Sequence, residues 1–403
     1  MQQDHRGDSG RRVGAPQSQT GRRRAMARGA LGTVALIGLG AATAGWMASG
    51  AQAADLRASP AAGHPFLAPL AWTLGTEVTP RPTADPAAPG TEVTGGADQS
   101  DPFLTVAAGR YLLLTSGGAG AAPVNVPLAT STDFIHWTEP VDALPTLPVW
   151  AHPGYTWAPE LHRFGNLYAL YFTAMVAGYT PQTECIGSAF ATSPTGPFTA
   201  GPIPLICQLD QGGSIDPRVF IDSDGTPWMQ WKSDQNIGGS DTPTKMWSQR
   251  LSADGTSLLG SPTLLMSPDE AWQGSIVEAP DMVELHGTYW VVYSANWYNQ
   301  PEYAIGAARC TGPGGPCHDQ TPSPLLATNL QGEGPGEASV FHDGNGVWLL
   351  YSPWRSLAPK PDIPARPVYI ARLGFGSSGP YLAGGSLPGP TNLLARPLWA
   401  ATP

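Results

Sequence analysis

Short apolar runs, each followed by a glycine turn and an alternating aromatic run, return five times along this chain. The first copy runs from Asp101-Pro102-Phe103-Leu104 through Gly109 to Leu114. The second starts at Ala158-Pro159-Glu160-Leu161, the third at Asp216-Pro217-Arg218-Val219 and the fourth at Ala279-Pro280-Asp281-Met282. The fifth starts at Ala338-Ser339-Val340-Phe341. Aligned on Pro102, Pro159, Pro217, Pro280 and Ser339, the copies are 57, 58, 63 and 59 residues apart. Each copy predicts a strand, a tight hairpin and a second strand. A period near 60 leaves room for two further strands. The pattern therefore predicts an all-β chain, a five-bladed β-propeller with four-stranded antiparallel blades. A β-sandwich would need this spacing to arise by coincidence. Asp222-Ser223-Asp224-Gly225 and Asp343-Gly344-Asn345-Gly346 read as hairpin turns inside blades three and five. The calcium-loop alternative for the first would need an acid at Ser233.

Composition agrees with many short elements. Among 403 residues, Gly (49) and Pro (43) make up about 23% of the chain, against roughly 12% in average proteins. The formal charge is −10, which argues against a nucleic-acid partner. Residues 1–53 carry seven Arg and two Asp, so the remainder carries −15.

The arginines at 22, 23, 24 and 28, the uncharged stretch 29–54 and Ala51-Gln52-Ala53 have the order of a cleaved secretory signal. Residues 1–53 are thus expected to direct export, and the paired arginines suggest the twin-arginine route. The apolar stretch is too rich in Gly and Ala for a permanent span, so no stable membrane partner is expected. Residues 54–96, rich in Pro and Ala, read as a lead-in or linker. Residues 97–395 form the expected propeller. A secreted, extracellular location fits four cysteines. Of the three pairings open to them, the local ones, Cys185–Cys207 and Cys310–Cys317, are expected.

The repeat also places acids at the blade entrances: Asp101 and Asp216 just before the Pro, Glu278 two before it and Glu160 one after it. In a propeller these positions converge on one mouth of the central channel. Acids that face one another there repel, and one stays protonated near neutrality. That is the arrangement for a general acid and a general base on either side of one bond.

The phrases Asp101-Pro102-Phe103, Trp157-Ala158-Pro159-Glu160, Ser214-Ile215-Asp216-Pro217 and Glu278-Ala279-Pro280-Asp281 resemble the family 43 glycoside hydrolases. The segments Ser131–Trp137 and Ala191–Phe198 are similar to that family's blade endings. The resemblance implies a five-bladed hydrolase, an arabinofuranosidase, β-xylosidase or arabinanase that inverts arabinofuranosyl or xylosyl linkages and needs no cofactor. It implies Asp101 as general base, Glu278 as general acid, and Asp216 as the group that raises and orients the acid. Asp98 is a rival base that lacks the following Pro-Phe.

Trp157, Trp150 and Glu160 are expected substrate contacts. Arg366 matches a late arginine that reaches the acid site in such enzymes. The family's usual Gly-Pro-Gly-His reads Gly334-Pro335-Gly336-Glu337 here, which makes Glu337 a candidate ligand for a structural calcium ion in the channel. The expected partner is an oligo- or polysaccharide, and the expected state is a monomer. The other readings are a non-catalytic carbohydrate-binding propeller and a retaining enzyme of fructans. The second needs an Asn before Asp101, where this chain has Ser100.

Overall fold

The computed structural model describes residues 90–93, 98–117, 124–179, 182–329, 331–342, 346–355, 365–376 and 379–383. The expected signal over 1–53, most of the lead-in 54–96 and Asp343 to Asn345 lie outside them. Five antiparallel sheets follow one another along the chain. Blade one comprises Phe103–Ala107, Arg110–Leu114, Pro127–Ser131 and Val141–Asp142, and blade two Ala151–Phe164, Leu167–Val176, Glu184–Ala191 and Thr199–Ala200. Blade three comprises Ser214–Ile221, Pro227–Ser233, Lys245–Leu251 and Leu258–Met266, and blade four Val277–Leu285, Thr288–Ala295, Ala304–Cys310 and Cys317–Asp319. Blade five is built on Glu333–His342, Val347–Trp354 and Tyr369–Gly376.

Strand alternation closes these sheets into a ring. Successive side chains of a strand point to opposite faces. In blade one Leu112 and Leu114 pack in a cluster with Leu161, Leu170 and Phe172 of blade two. Tyr111 and Leu113, which alternate with them in sequence, pack with Phe341, Trp348 and Leu350 of blade five. Three more clusters join blades two and three through Tyr171 and Trp231, three and four through Phe220 and Val291, and four and five through Ile305 and Leu349. There are five interfaces for five blades, so each sheet must be apolar on both faces. The second strands accordingly read as near-continuous hydrophobic runs.

The last blade borrows from the start of the chain. Thr91–Glu92 pairs antiparallel with Tyr369–Ile370 on the outer edge of blade five. Gly379–Ala383 pairs with the other half of the same strand. The end of the expected lead-in is therefore part of the propeller sheet. Both expected disulfides are present: Cys310–Cys317 joins the outer hairpin of blade four, and Cys185–Cys207 ties blade two to the segment leading into blade three.

Each innermost strand carries the same irregularity. Asp101, Ala158, Asp216, Ala279 and Glu337 all have left-handed backbones, with φ of 57°, 45°, 56°, 49° and 52°. In blades two to five a register shift falls at this residue, with one more residue on the inner strand than on its partner. This is a β-bulge. Pro follows the left-handed residue in four blades, because a bulge leaves its N–H position outside the ladder. In the fifth copy Ala338 takes that place. The alignment on Ser339 is thus one residue late, and Glu337 is the structural counterpart of Asp101 and Asp216.

Hydroxyls staple the bulges to the preceding blades. Ser116, Thr173 and Ser294, each on the blade before, accept the N–H of Ala158, Asp216 and Glu337 at 2.9, 3.1 and 2.9 Å. These contacts offset the cost of a non-glycine left-handed residue, of order 1–3 kcal/mol, and fix where its side chain points.

Candidate active site

The bulge sorts the inner strands into two levels. At the bulge, Asp101, Asp216 and Glu337 stand at the mouth with Glu278, one residue before Ala279. Two residues beyond it lie Phe103, Glu160, Arg218, Asp281 and Ser339, one from each blade. This lower level fills the channel. The Arg218 guanidinium lies 3.8 Å from both Glu160 Oε2 and Asp281 Oδ2 and 5.6 Å from the centre of the Phe103 ring. Ser339 Oγ donates to Pro102 O at 2.7 Å. The expectation that Glu160 contacts substrate is therefore corrected. Its side chain is buried beneath the mouth, where it pairs with Arg218 and accepts the Val219 N–H at 3.3 Å. The extra residue of the bulge turned it downward.

The mouth group is tightly linked. Asp101 accepts the Ser116 hydroxyl and, at 3.3 Å, Arg366 Nη1. Asp216 Oδ2 accepts the backbone N–H of Ala279 at 3.1 Å, which ties it to the residue after Glu278. Glu278 Oε2 lies 2.7 Å from Lys232 Nζ, and its Oε1 accepts the Tyr303 hydroxyl at 2.6 Å. That hydroxyl also lies 3.0 Å from Glu337 Oε1. All four acids are buried.

Electrostatics follow from that burial. Desolvation, then the nearby Glu278 charge, pushes Asp216 up to about 7 against the opposing Lys232. Glu337 is raised well above the carboxylate range by burial and by Asp216, Asp101 and Glu278. Burial alone would lower the Lys232 ammonium, but Glu278, Asp234 and Asp216 outweigh it and hold the proton in place. In the lower level desolvation raises Glu160 to about 8 and Asp281 to about 6.

A group that binds its proton more tightly when folded stabilises the fold below its unfolded value and loses that contribution as pH rises through the folded one. For Asp216, Glu160 and Asp281 the window runs from about 4 to 8. The thermal midpoint is therefore expected to fall from pH 5 to pH 8, opposite to ordinary acid denaturation. Melts across that range check this, and a flat or rising profile would contradict it.

Carboxylate oxygens of Asp216, Glu278 and Glu337 lie within 4.8 Å of one another, a spacing that could surround a cation. The donors around them argue against calcium. Glu278 already accepts from an ammonium and a phenol, Asp216 from a peptide N–H, and the channel below holds the Arg218 guanidinium. Calcium needs six to eight oxygens and would meet the Lys232 charge instead. The residues present do not fit the expected ion, and Glu337 is better described as a fourth acid of the mouth.

The remaining expected residues are not gathered in one place. Trp157 is half-buried and forms an edge-to-face row with Tyr155 and His152 on blade two. Trp150 stacks on Phe172, with centroids 6.1 Å apart, as part of the cluster between blades one and two. Arg366 reaches Asp101 rather than Glu278 and lies 5.3 Å over the Trp354 ring. Trp354 Nε1 donates to Tyr298 O at 2.6 Å, which gives an aromatic wall from blades four and five. Asp98 is exposed and accepts the Arg366 N–H at 3.1 Å. Lys232, Tyr303, Trp354 and Tyr298 were not singled out by the sequence. Lys232 and Trp354 stand toward the ends of second strands, and Tyr303 and Tyr298 stand on the loop after one; none belongs to a repeated phrase.

The sequence model of the Glycosyl hydrolases family 43 matches residues 92–379, nearly the whole described ring. The chain belongs to this family. Among curated relatives, it is similar to an extracellular endo-α-(1→5)-L-arabinanase of Bacillus subtilis (strain 168), at 24% identity over 232 residues. That match covers 54% of this chain and 65% of the relative, so the chain spans just under two thirds of the relative's length. Among solved structures, a thermostable family-43 glycoside hydrolase superposes with a TM-score of 0.64 at 26% identity, covering 75% of this chain and 98% of the other. A structure described as an endo-1,4-β-xylanase from Bacteroides thetaiotaomicron gives 0.59 at 23% identity, covering 73% and 97%. The second shares the fold.

Proposed function

We propose that this protein is an exported, inverting glycoside hydrolase of arabinan- or xylan-type glycans. In this reading Asp101 deprotonates the attacking water, Glu278 protonates the leaving oxygen, and Asp216 tunes and orients Glu278. The observation that carries it is the meeting of these three buried acids, far apart in sequence: Asp216 bonds the N–H of the residue after Glu278, and the charges of Glu278 and Asp101 both act on it. The trio of mutually close carboxylates contains Asp216 and Glu278 but not Asp101. Inversion requires a base far enough from the acid to leave room for a water. Arg366 and the Ser116 hydroxyl hold Asp101 by its two oxygens. Trp157 and Trp354 offer flat faces suited to the apolar faces of sugar rings.

The arabinanase and xylanase names of similar proteins support the choice of sugars. Secretion is supported by the basic-apolar order of 1–53, by the two disulfides and by the extracellular relative. The test is to incubate the protein with arabinan, arabinoxylan and matching oligosaccharides and to follow the first-formed sugar by NMR. The expected result is release of arabinose- or xylose-containing products whose anomeric configuration is opposite to that of the bond cleaved. Retained configuration, or binding without any hydrolysis, would overturn the proposal.

A further inference from the structure

The Tyr303 hydroxyl stands between two carboxylates, 2.6 Å from Glu278 Oε1 and 3.0 Å from Glu337 Oε1. A phenol has one proton to donate. Two ionised carboxylates cannot both accept it, so one of the two contacts must be made by a proton that the carboxyl itself carries. The surroundings decide which one. Glu278 already accepts the Lys232 ammonium on its other oxygen at 2.7 Å, so both of its oxygens act as acceptors. Among the described residues Glu337 has no cation at hydrogen-bond distance, and its Oε2 is buried without a partner. Only 7% of the residue is exposed.

The groups that face Glu337 are Asp216, Asp101, Glu278 and Tyr303, with Arg366 the single cation among them. The same surroundings raise its proton affinity well above normal. Protonated Glu337 donates to the Tyr303 oxygen, and Tyr303 donates to Glu278. Gly336 makes the approach possible, because a Cβ there would lie 1.8 Å from the Tyr303 ring.

We propose that Glu337 is the proton reservoir of Glu278, connected to it through the Tyr303 hydroxyl. The inference rests on the reading of Glu278 as general acid. As the glycosidic bond breaks, the Glu278 carboxylate takes the Tyr303 hydroxyl proton and hands a proton on to the leaving oxygen. The Tyr303 oxygen takes the proton of Glu337 in the same movement. Glu278 and Tyr303 are restored, Glu337 is left ionised, and water reprotonates it before the next turnover. No electron pair leaves the wire and no co-reactant is needed. Glu337 and Tyr303 are positioning residues that act through Glu278 and supply the proton that it hands on.

The experiment compares Tyr303→Phe and Glu337→Gln with the unmodified protein on two substrates. One is the arabino- or xylo-oligosaccharide that the protein cleaves, and the other is the dinitrophenyl glycoside of the same sugar. An alcohol leaving group needs the proton, whereas dinitrophenolate does not. Each variant is expected to lose about 100-fold in kcat on the oligosaccharide, within the range for proton-transfer catalysis, and under about tenfold on the dinitrophenyl glycoside. The alkaline limb of kcat follows loss of the Glu337 proton in the unmodified protein, so it should change in Glu337→Gln, which has no such proton to lose.

Glu337→Gln keeps a donor to the Tyr303 oxygen, so it carries the test alone if the Tyr303 variant does not fold. Equal losses on the two substrates, or an unmoved alkaline limb, would overturn the reservoir. Glu278→Gln separates the two readings. A leaving-group-selective loss there, without one in the wire variants, sinks the reservoir alone; full oligosaccharide turnover sinks the assignment of Glu278 as well.

Discussion

Asp101→Asn is expected to reduce hydrolysis of either leaving-group class by about 10²–10⁴-fold, the contribution of a general base. The loss should be the same for oligosaccharide and dinitrophenyl glycoside, because both need an activated water. The substitution is nearly isosteric. Ser116 and Arg366 already bracket the two oxygens, and an amide oxygen can still accept one of those bonds. The left-handed backbone at this position tolerates Asn better than most residues, so the fold should survive. A reducing-sugar assay beside a thermal melt checks both halves. Wild-type turnover by a folded Asp101→Asn protein would remove this residue from the mechanism. Asp98, exposed and bonded to the Arg366 backbone, would then be the next candidate.

Arg218→Leu is expected to be the most destabilising single change in the channel. Removing one member of a buried ion group leaves its partners uncompensated, at a cost of about 3–5 kcal/mol. Here the stranded partners are Glu160 and Asp281, both buried and both already raised by desolvation with Arg218 present. Without it they bind protons more tightly still. The loss should therefore grow as pH rises from 5 to 8, when the folded protein must either hold those protons or bury the charges. Denaturant unfolding at both ends of that range measures it. Combining Arg218→Leu with Glu160→Gln and Asp281→Asn should recover part of the loss, since the groups are coupled. A loss independent of pH, with no recovery in the triple variant, would show that packing against Phe103 matters more than charge.

The ring of five blades was legible because the inner strands repeat the same turn and the same proline at a nearly constant interval. The level at which each side chain stands was not legible. One additional residue at each bulge decides whether an acid faces the mouth or the channel, and nothing in Trp157-Ala158-Pro159-Glu160 says that Glu160 points down while Glu278 stays up. The same shift hid the equivalence of Glu337 with Asp101 and Asp216, because Ala338 replaces the proline that marks the other copies. Lys232 and Tyr303 escaped for a different reason. They come from a second strand and a connecting loop, whose sequences follow local packing and carry no repeated phrase. Their importance exists only after the ring has closed around Glu278.

The pairing of Thr91–Glu92 with Tyr369–Ile370 sets an order of assembly. The N-terminal strand of the ring finds its neighbour only after nearly all the other sheets have been synthesised, so the circle cannot be latched while the ribosome is still at work on the middle of the molecule. Cutting the chain back to residue 97 would remove that latch while sparing every acid at the mouth, and would show how far catalysis depends on the circle being locked.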